Sequence, residues 1–149
     1  MKIAIGADHG GYKLKEEIKR YLGELELEYI DVGTDSEERV DYPIIAKEVC
    51  KSVQANEANF GIIICKTGYG MSIVANKFKG IRATLCYNET TAKYAKLHNN
   101  SNILTIGADE VSVSEAICIL RMWLATEFEG GRHQERLKLI EEIEKANMK

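Results

Sequence analysis

Cys65 ends the apolar run Phe60 to Ile64 and is followed by Lys66-Thr67-Gly68-Tyr69-Gly70. A thiol reacts as its thiolate, a form favoured by a helix N-terminus and by a neighbouring cation such as Lys66. Glycines at 68 and 70 let the backbone take left-handed angles and turn its N–H groups toward one point. A helix beginning near Gly70 adds its positive end and completes an anion hole. A thiolate beside such a hole can abstract a proton next to a carbonyl while backbone donors hold the oxyanion that develops. The stretch is not a Walker A loop, because no second glycine precedes Lys66-Thr67. Nor is it a Cys-x5-Arg phosphatase loop, because Met71 occupies the arginine position. The plainer alternative is a tight strand-to-helix turn with an inert cysteine at the strand end, and Cys65 alone does not separate the two.

Other polar groups invite the same pairing of readings. Asp8-His9-Gly10-Gly11 offers a carboxylate and an imidazole, or else a turn in which Asp8 caps the next helix. His98-Asn99-Asn100-Ser101-Asn102 offers a second imidazole, or else a polar turn after a helix. In EGGRHQER, residues 129–136, Arg132 and Arg136 lie four apart and share a face if the stretch is helical. Two guanidiniums there can grip a phosphate through forked hydrogen bonds. The alternative is a solvated face paired with Glu129 and Glu135.

Apolar strand-like runs alternate with helical periodicity along the whole chain. Strands are expected at 2–7, 28–33, 60–65, 81–87 and 102–108, and helices at 12–25, 42–54, 89–97, 114–127 and 135–146. Pro43 suits the first turn of the second of these helices. Such alternation predicts right-handed βαβ units and a five-stranded parallel sheet in a three-layer α/β/α sandwich of Rossmann-like topology. Loops at the carboxyl ends of the strands then share one crevice. Asp8, His9, Cys65 and the 66–70 loop are expected there, and the irregular segment before the fifth strand carries His98.

Bulk properties exclude several classes. A length of 149 residues fits one domain, with 45% hydrophobic and 29% charged residues. A net charge of −3 with dispersed basic residues argues against nucleic acid as a partner. No apolar run approaches a membrane span, and the N-terminal residues lack a signal-peptide pattern, so a cytoplasmic location is expected. Cys50, Cys65, Cys86 and Cys118 form no CxxC pair, and no histidine spacing suits zinc, so neither a disulfide nor a metal is expected.

Jointly, GADHGG, VDYP, FGIIICKTGYGMSIVANK, GIRATLCYNE, HNNSNIL and EGGRHQER resemble type-B ribose-5-phosphate isomerases, in order from residue 6 to residue 136. The His-Asn turn and the Gly-Gly-Arg-His segment set the chain apart from galactose-type relatives. The resemblance implies interconversion of an aldose phosphate and a ketose phosphate through an enediolate, without metal or other cofactor. It implies Cys65 as the base at C2, and His98 as the acid/base that opens the furanose ring with help from Thr67. Backbone N–H groups of Lys66 to Gly70, including Gly68 and Tyr69, would hold the enediolate oxygen. Asp8 and Asn99 would hold hydroxyls, Tyr42 would line the pocket, and His9, Arg132 and Arg136 would hold the phosphate. It further implies a homodimer, with association to a tetramer left open. The sites would be shared, so that His98 faces the partner's Cys65, and the C-terminal helix would pack on its own domain or on the partner.

Two positions depart from the family pattern. Lys66 stands where Cys-Gly-Thr-Gly has its first glycine, and Asp109 stands where an arginine usually contributes to the phosphate site. Losing one charge-assisted contact costs about 1–3 kcal/mol, and Lys66 is expected to compensate by supplying positive charge. Asn100 in place of a frequent aspartate is a milder change. Two other readings stay open: an isomerase of a six-carbon phosphate such as allose 6-phosphate or galactose 6-phosphate, and a non-catalytic sugar-phosphate-binding module.

Overall fold

A computed structural model describes residues 1–148. In chain order the elements are β1 Lys2–Ala7, α1 Tyr12–Glu24, β2 Glu28–Asp31, α2 Tyr42–Gln54, β3 Phe60–Cys65, α3 Tyr69–Ala75, β4 Ala83–Leu85, α4 Glu89–Asn99, β5 Ile103–Gly107, α5 Val113–Ala125 and α6 Arg132–Asn147. The five strands form one parallel sheet in the order β2-β1-β3-β5-β4. The connections run outward from β1 in one direction and from β3 in the other. The switch therefore falls between β1 and β3, where this topology opens a crevice at the carboxyl ends.

Continuous apolar strands such as FGIIIC need cover on both faces, and they have it. On one face Leu14, Ile18 and Leu22 of α1 pack with Ile119, Leu120 and Trp123 of α5 and Ala92 and Ala95 of α4. On the other, Ile45, Val49 and Val53 of α2 pack with Met71 and Ala75 of α3. Each large side chain buried this way contributes about 1.5–3 kcal/mol. The expected three-layer sandwich is therefore observed.

Boundaries differ at several ends. β2, β4 and β5 are shorter than the apolar runs that mark them, although single backbone hydrogen bonds continue beyond their ends, as from the Val32 N–H to the Ile5 carbonyl (2.9 Å) and from the Cys86 N–H to the Thr105 carbonyl (3.1 Å). α4 runs to Asn99, so His98 and Asn99 occupy its last turn rather than an irregular segment. α6 begins at Arg132, three residues earlier than expected, because Gly131 at φ 57° starts the helix. Capping boxes start α4, between Asn88 and Thr91, and α5, between Ser112 and Glu115.

Two buried lysines join the elements. The Lys15 ammonium is fully buried and donates to both Asp31 carboxylate oxygens, at 2.8 and 2.7 Å, and to the Thr34 carbonyl. Burial works against the charge on Asp31, but hydrogen bonds from Lys15, Lys19 and the Gly33 N–H outweigh it and hold the carboxyl below its usual range. Lys96 lies in a box of aromatic rings, 4.2 Å from the Phe60 centroid and 4.5 Å from that of Trp123. Burial pushes its pKa down.

Candidate active site

At the carboxyl ends of β1 and β3 the chain assembles most of the expected groups. Ala7 pairs with Ile64, and the Asp8 N–H donates to the Ile64 carbonyl at 3.2 Å, so Asp8 adjoins Cys65. The Asp8 carboxylate, 7% exposed, accepts from the N–H groups of Gly10 (2.9 Å) and Gly11 (3.2 Å). It closes the turn; α1 has no side-chain cap, so the capping role considered for Asp8 is not observed. His9 accepts the Val40 N–H at Nδ1, 3.3 Å away, which places its ring proton on Nε2. The imidazole is thereby oriented as a donor, by a backbone group that no sequence motif advertises.

Cys65 closes β3 opposite Gly107. Its Sγ accepts from the Gly68 N–H at 3.1 Å, a backbone donor suited to negative charge on sulfur. That contact needs Gly68 at φ 84°, and a Cβ there would meet Leu85 Cδ1 at 2.5 Å. Thr67 Oγ1 accepts from the Tyr69 N–H at 3.3 Å, leaving its hydroxyl proton to donate elsewhere. Tyr42, the first residue of α2, lays its ring on Gly70, where a Cβ would lie 2.4 Å from Tyr42 Cε1. The Lys66 stem crosses Gly10, within 2.5 Å of where a Cβ would stand. The Asp109 N–H donates to the Lys66 carbonyl at 2.9 Å, and the two side chains form no ion pair among the described residues.

His98, Asn99, Arg132 and Arg136 gather elsewhere. The end of α4 is tied to the entrances of β4 and β5. Arg82 Nε donates to the carbonyls of Asn99 (3.2 Å) and Asn100 (3.0 Å), and its N–H donates to Asn102 Oδ1 at 2.7 Å. In a parallel sheet those entrances lie at the end away from Cys65, about 13 Å along β5 at ~3.3 Å per residue. α4 runs antiparallel to the strands and returns His98 to their amino ends, so within one chain His98 lies away from the crevice that holds Cys65.

Beside His98 the end of α4 meets the start of α6. The Glu129 N–H donates to the Leu97 carbonyl at 3.0 Å, strapping residues 126–131 across the end of α4. The rings of His98 and His133 stack with centroids 4.1 Å apart. Each places Nε2 3.7 Å from one oxygen of Glu129. His133 is 5% exposed; burial first, then the neighbouring His98 and the two arginines, hold its pKa below the usual value against the opposing pull of Glu129. Arg132 and Arg136 are exposed on the first turns of α6 and form no ion pair among the described residues, so the pairing with Glu129 and Glu135 is not observed. No histidine spacing along the chain suits zinc, but the fold brings together three groups, two of them distant in sequence from His98. His98, Glu129 and His133 each offer a ligand atom within 4.8 Å of the other two. The four-residue step from Glu129 to His133 was the available signal.

A family model described as Ribose/Galactose Isomerase matches residues 3–140. The chain is 47% identical over 143 residues to ribose-5-phosphate isomerase B of Escherichia coli (strain K12), covering 96% of each sequence. The structure of ribose-5-phosphate isomerase B from Clostridium thermocellum superposes with a TM-score of 0.97 at 48% identity, covering 98% of this chain and 99% of that one. That of ribose-5-phosphate isomerase B from Mycoplasma genitalium with bound ribulose-5-phosphate superposes at 0.93 and 39% identity, covering 97% and 96%.

Proposed function

The chain belongs to the ribose/galactose isomerase family, and on that premise we propose that it interconverts ribose 5-phosphate and ribulose 5-phosphate through an enediolate. The observation that carries the chemistry is the Gly68 N–H on Cys65 Sγ beside Asp8, at the carboxyl end of the sheet. Cys65 as thiolate takes the C2 proton of the open aldose and, as the thiol, returns a proton to C1, while the O2 hydroxyl proton passes to O1, so that C2 becomes the carbonyl and O1 the hydroxyl. Charge that builds on the oxygens in between is met by N–H groups of the 66–70 loop. Thr67 donates its free hydroxyl proton, Asp8 and Asn99 hold hydroxyls, and Tyr42 walls the pocket. His9 presents Nε2–H to the phosphate, and Arg132 and Arg136 supply its countercharge.

Two half-sites at opposite ends of the sheet support a homodimer in which His98, Asn99 and the arginines of one copy complete the Cys65 site of the other. His98 then opens the furanose ring across the interface. Leu139, Ile140 and Ile143 form an exposed apolar stripe on α6, while Leu137 and His133 of the same helix pack inward. The stripe supports burial of this helix between copies. No helix is long and apolar enough to cross a membrane among the described residues. Four unpaired cysteines support a reducing, cytoplasmic compartment.

Proton NMR in heavy water with ribose 5-phosphate tests the reading, with allose 6-phosphate alongside. Ribulose 5-phosphate carrying deuterium at the exchanging carbon is expected. Turnover of the six-carbon sugar alone would make Asp109 a change of specificity, and binding without turnover of either sugar would defeat the isomerase reading.

A further inference from the structure

We propose that His98, Glu129 and His133 form a binding site for a divalent transition metal ion of zinc's class, and that an ion held there blocks turnover. The block rests on the proposed role of His98; the binding does not. Two imidazoles and a carboxylate match the ligand chemistry of zinc, cobalt and nickel. Three protein ligands leave a coordination position open to water.

Three structural observations support the site. Both Nε2 atoms lie 3.7 Å from the same Glu129 oxygen, and all three groups bring ligand atoms within 4.8 Å of one another. Donors on one tetrahedral zinc, at about 2.0–2.1 Å from the metal, sit roughly 3.3 Å apart, so the contraction needed is small. His133 is 5% exposed, and its Nε2 is buried with no hydrogen-bond partner, a donor atom aimed into the cluster without other use. The two remaining ligands can adapt to it: the side chains of His98 and Glu129 are 34% and 54% exposed. Rotation of the His98 ring about Cβ–Cγ breaks the stack and turns its lone pair toward the ion. Each imidazole then binds through Nε2 with its proton on Nδ1. The nearby guanidiniums of Arg132 and Arg136 oppose a second cation, which favours an ion that can be removed over a permanent one. An Nε2 lone pair committed to metal cannot carry a proton to or from a sugar oxygen.

The test uses untagged, chelator-stripped full-length protein titrated with zinc against a chromophoric chelator. One zinc per chain is expected. Affinity should fall by at least about tenfold in His133→Gln and again in Glu129→Gln, and remain in Cys65→Ala. Cobalt substituted at the site should show tetrahedral absorption without a thiolate charge-transfer band. Thermal melts confirm that the variants are folded. Zinc binding lost in Cys65→Ala and kept in His133→Gln would overturn the assignment, as would no binding at all. Zinc inhibition reversed by chelator, in step with occupancy, is expected of an active preparation. Stoichiometric binding without inhibition would overturn the block but leave the site, and binding by a protein inactive on every sugar phosphate would point to failure of the isomerase reading instead.

Discussion

Cys65 is the group on which the chemistry turns. Cys65→Ala is expected to lower kcat by about 10²–10⁴-fold while calorimetry still registers sugar-phosphate binding; near-normal turnover would remove the thiol as base. The other cysteines provide an internal comparison. Burial pushes the Cys50 thiol up to about 12 and that of Cys86 up to about 11, so both stay protonated at pH 9. Mass analysis after iodoacetamide at pH 8–9 should find Cys50 and Cys86 unmodified, and substrate should protect Cys65. Lys66 tests a different idea. Its stem crosses Gly10, and its charge is not spent on Asp109. Lys66→Gly is therefore expected to raise KM about tenfold, the equivalent of about 1.4 kcal/mol of lost countercharge. An unchanged KM would mean that Lys66 does not replace the arginine whose place Asp109 takes.

Elements set where these residues stand, and two joints between them are open to measurement. Gly68 holds φ 84° where β3 becomes α3. Gly68→Ala should cost about 1–2 kcal/mol from the left-handed backbone alone, read by denaturant unfolding, with more from the contact on Leu85. The Asp31–Lys15 joint answers to pH. Because the folded carboxyl titrates below its unfolded value near 3.9, its stabilisation is present above that pH. It is lost as pH falls through the folded pKa. Asp31→Asn should flatten that acid limb and destabilise by roughly 3 kcal/mol, by leaving the buried Lys15 ammonium short of its anion. This scale also explains what the chain could tell in advance. Strands and helices were legible because FGIIIC is a short, continuous, β-branched apolar run and YKLKEEIKRYLGEL carries the helical period openly. The 66–70 loop was legible because glycine is needed there for a physical reason. His98 was legible as a type and not as a place, since one residue string serves either end of a sheet until strand order and helix direction are known. Glu129 was hidden for the same cause: its partners are 31 residues back on α4 and one turn ahead on α6.

For the whole molecule the decisive feature is the distance between the half-sites. If each site joins Cys65 of one copy to His98 of the other, neither Cys65→Ala nor His98→Asn should turn over alone. A denatured and refolded equal mixture should regain about a quarter of normal activity, because half the dimers are mixed and each mixed dimer has one intact site. A mixture as inactive as its components would mean that each chain builds its site alone. One more property follows from the aromatic box. Trp123 is the only tryptophan, fully buried, and it shares the Lys96 ammonium with Phe60. Lys96 lies two residues before His98 on α4, so any shift of that last turn moves a positive charge across the indole. The protein thus carries its own unlabelled optical gauge: arrival of a sugar phosphate or a metal ion at His98 should change the emission, and Lys96→Met should leave the indole bright but deaf to both.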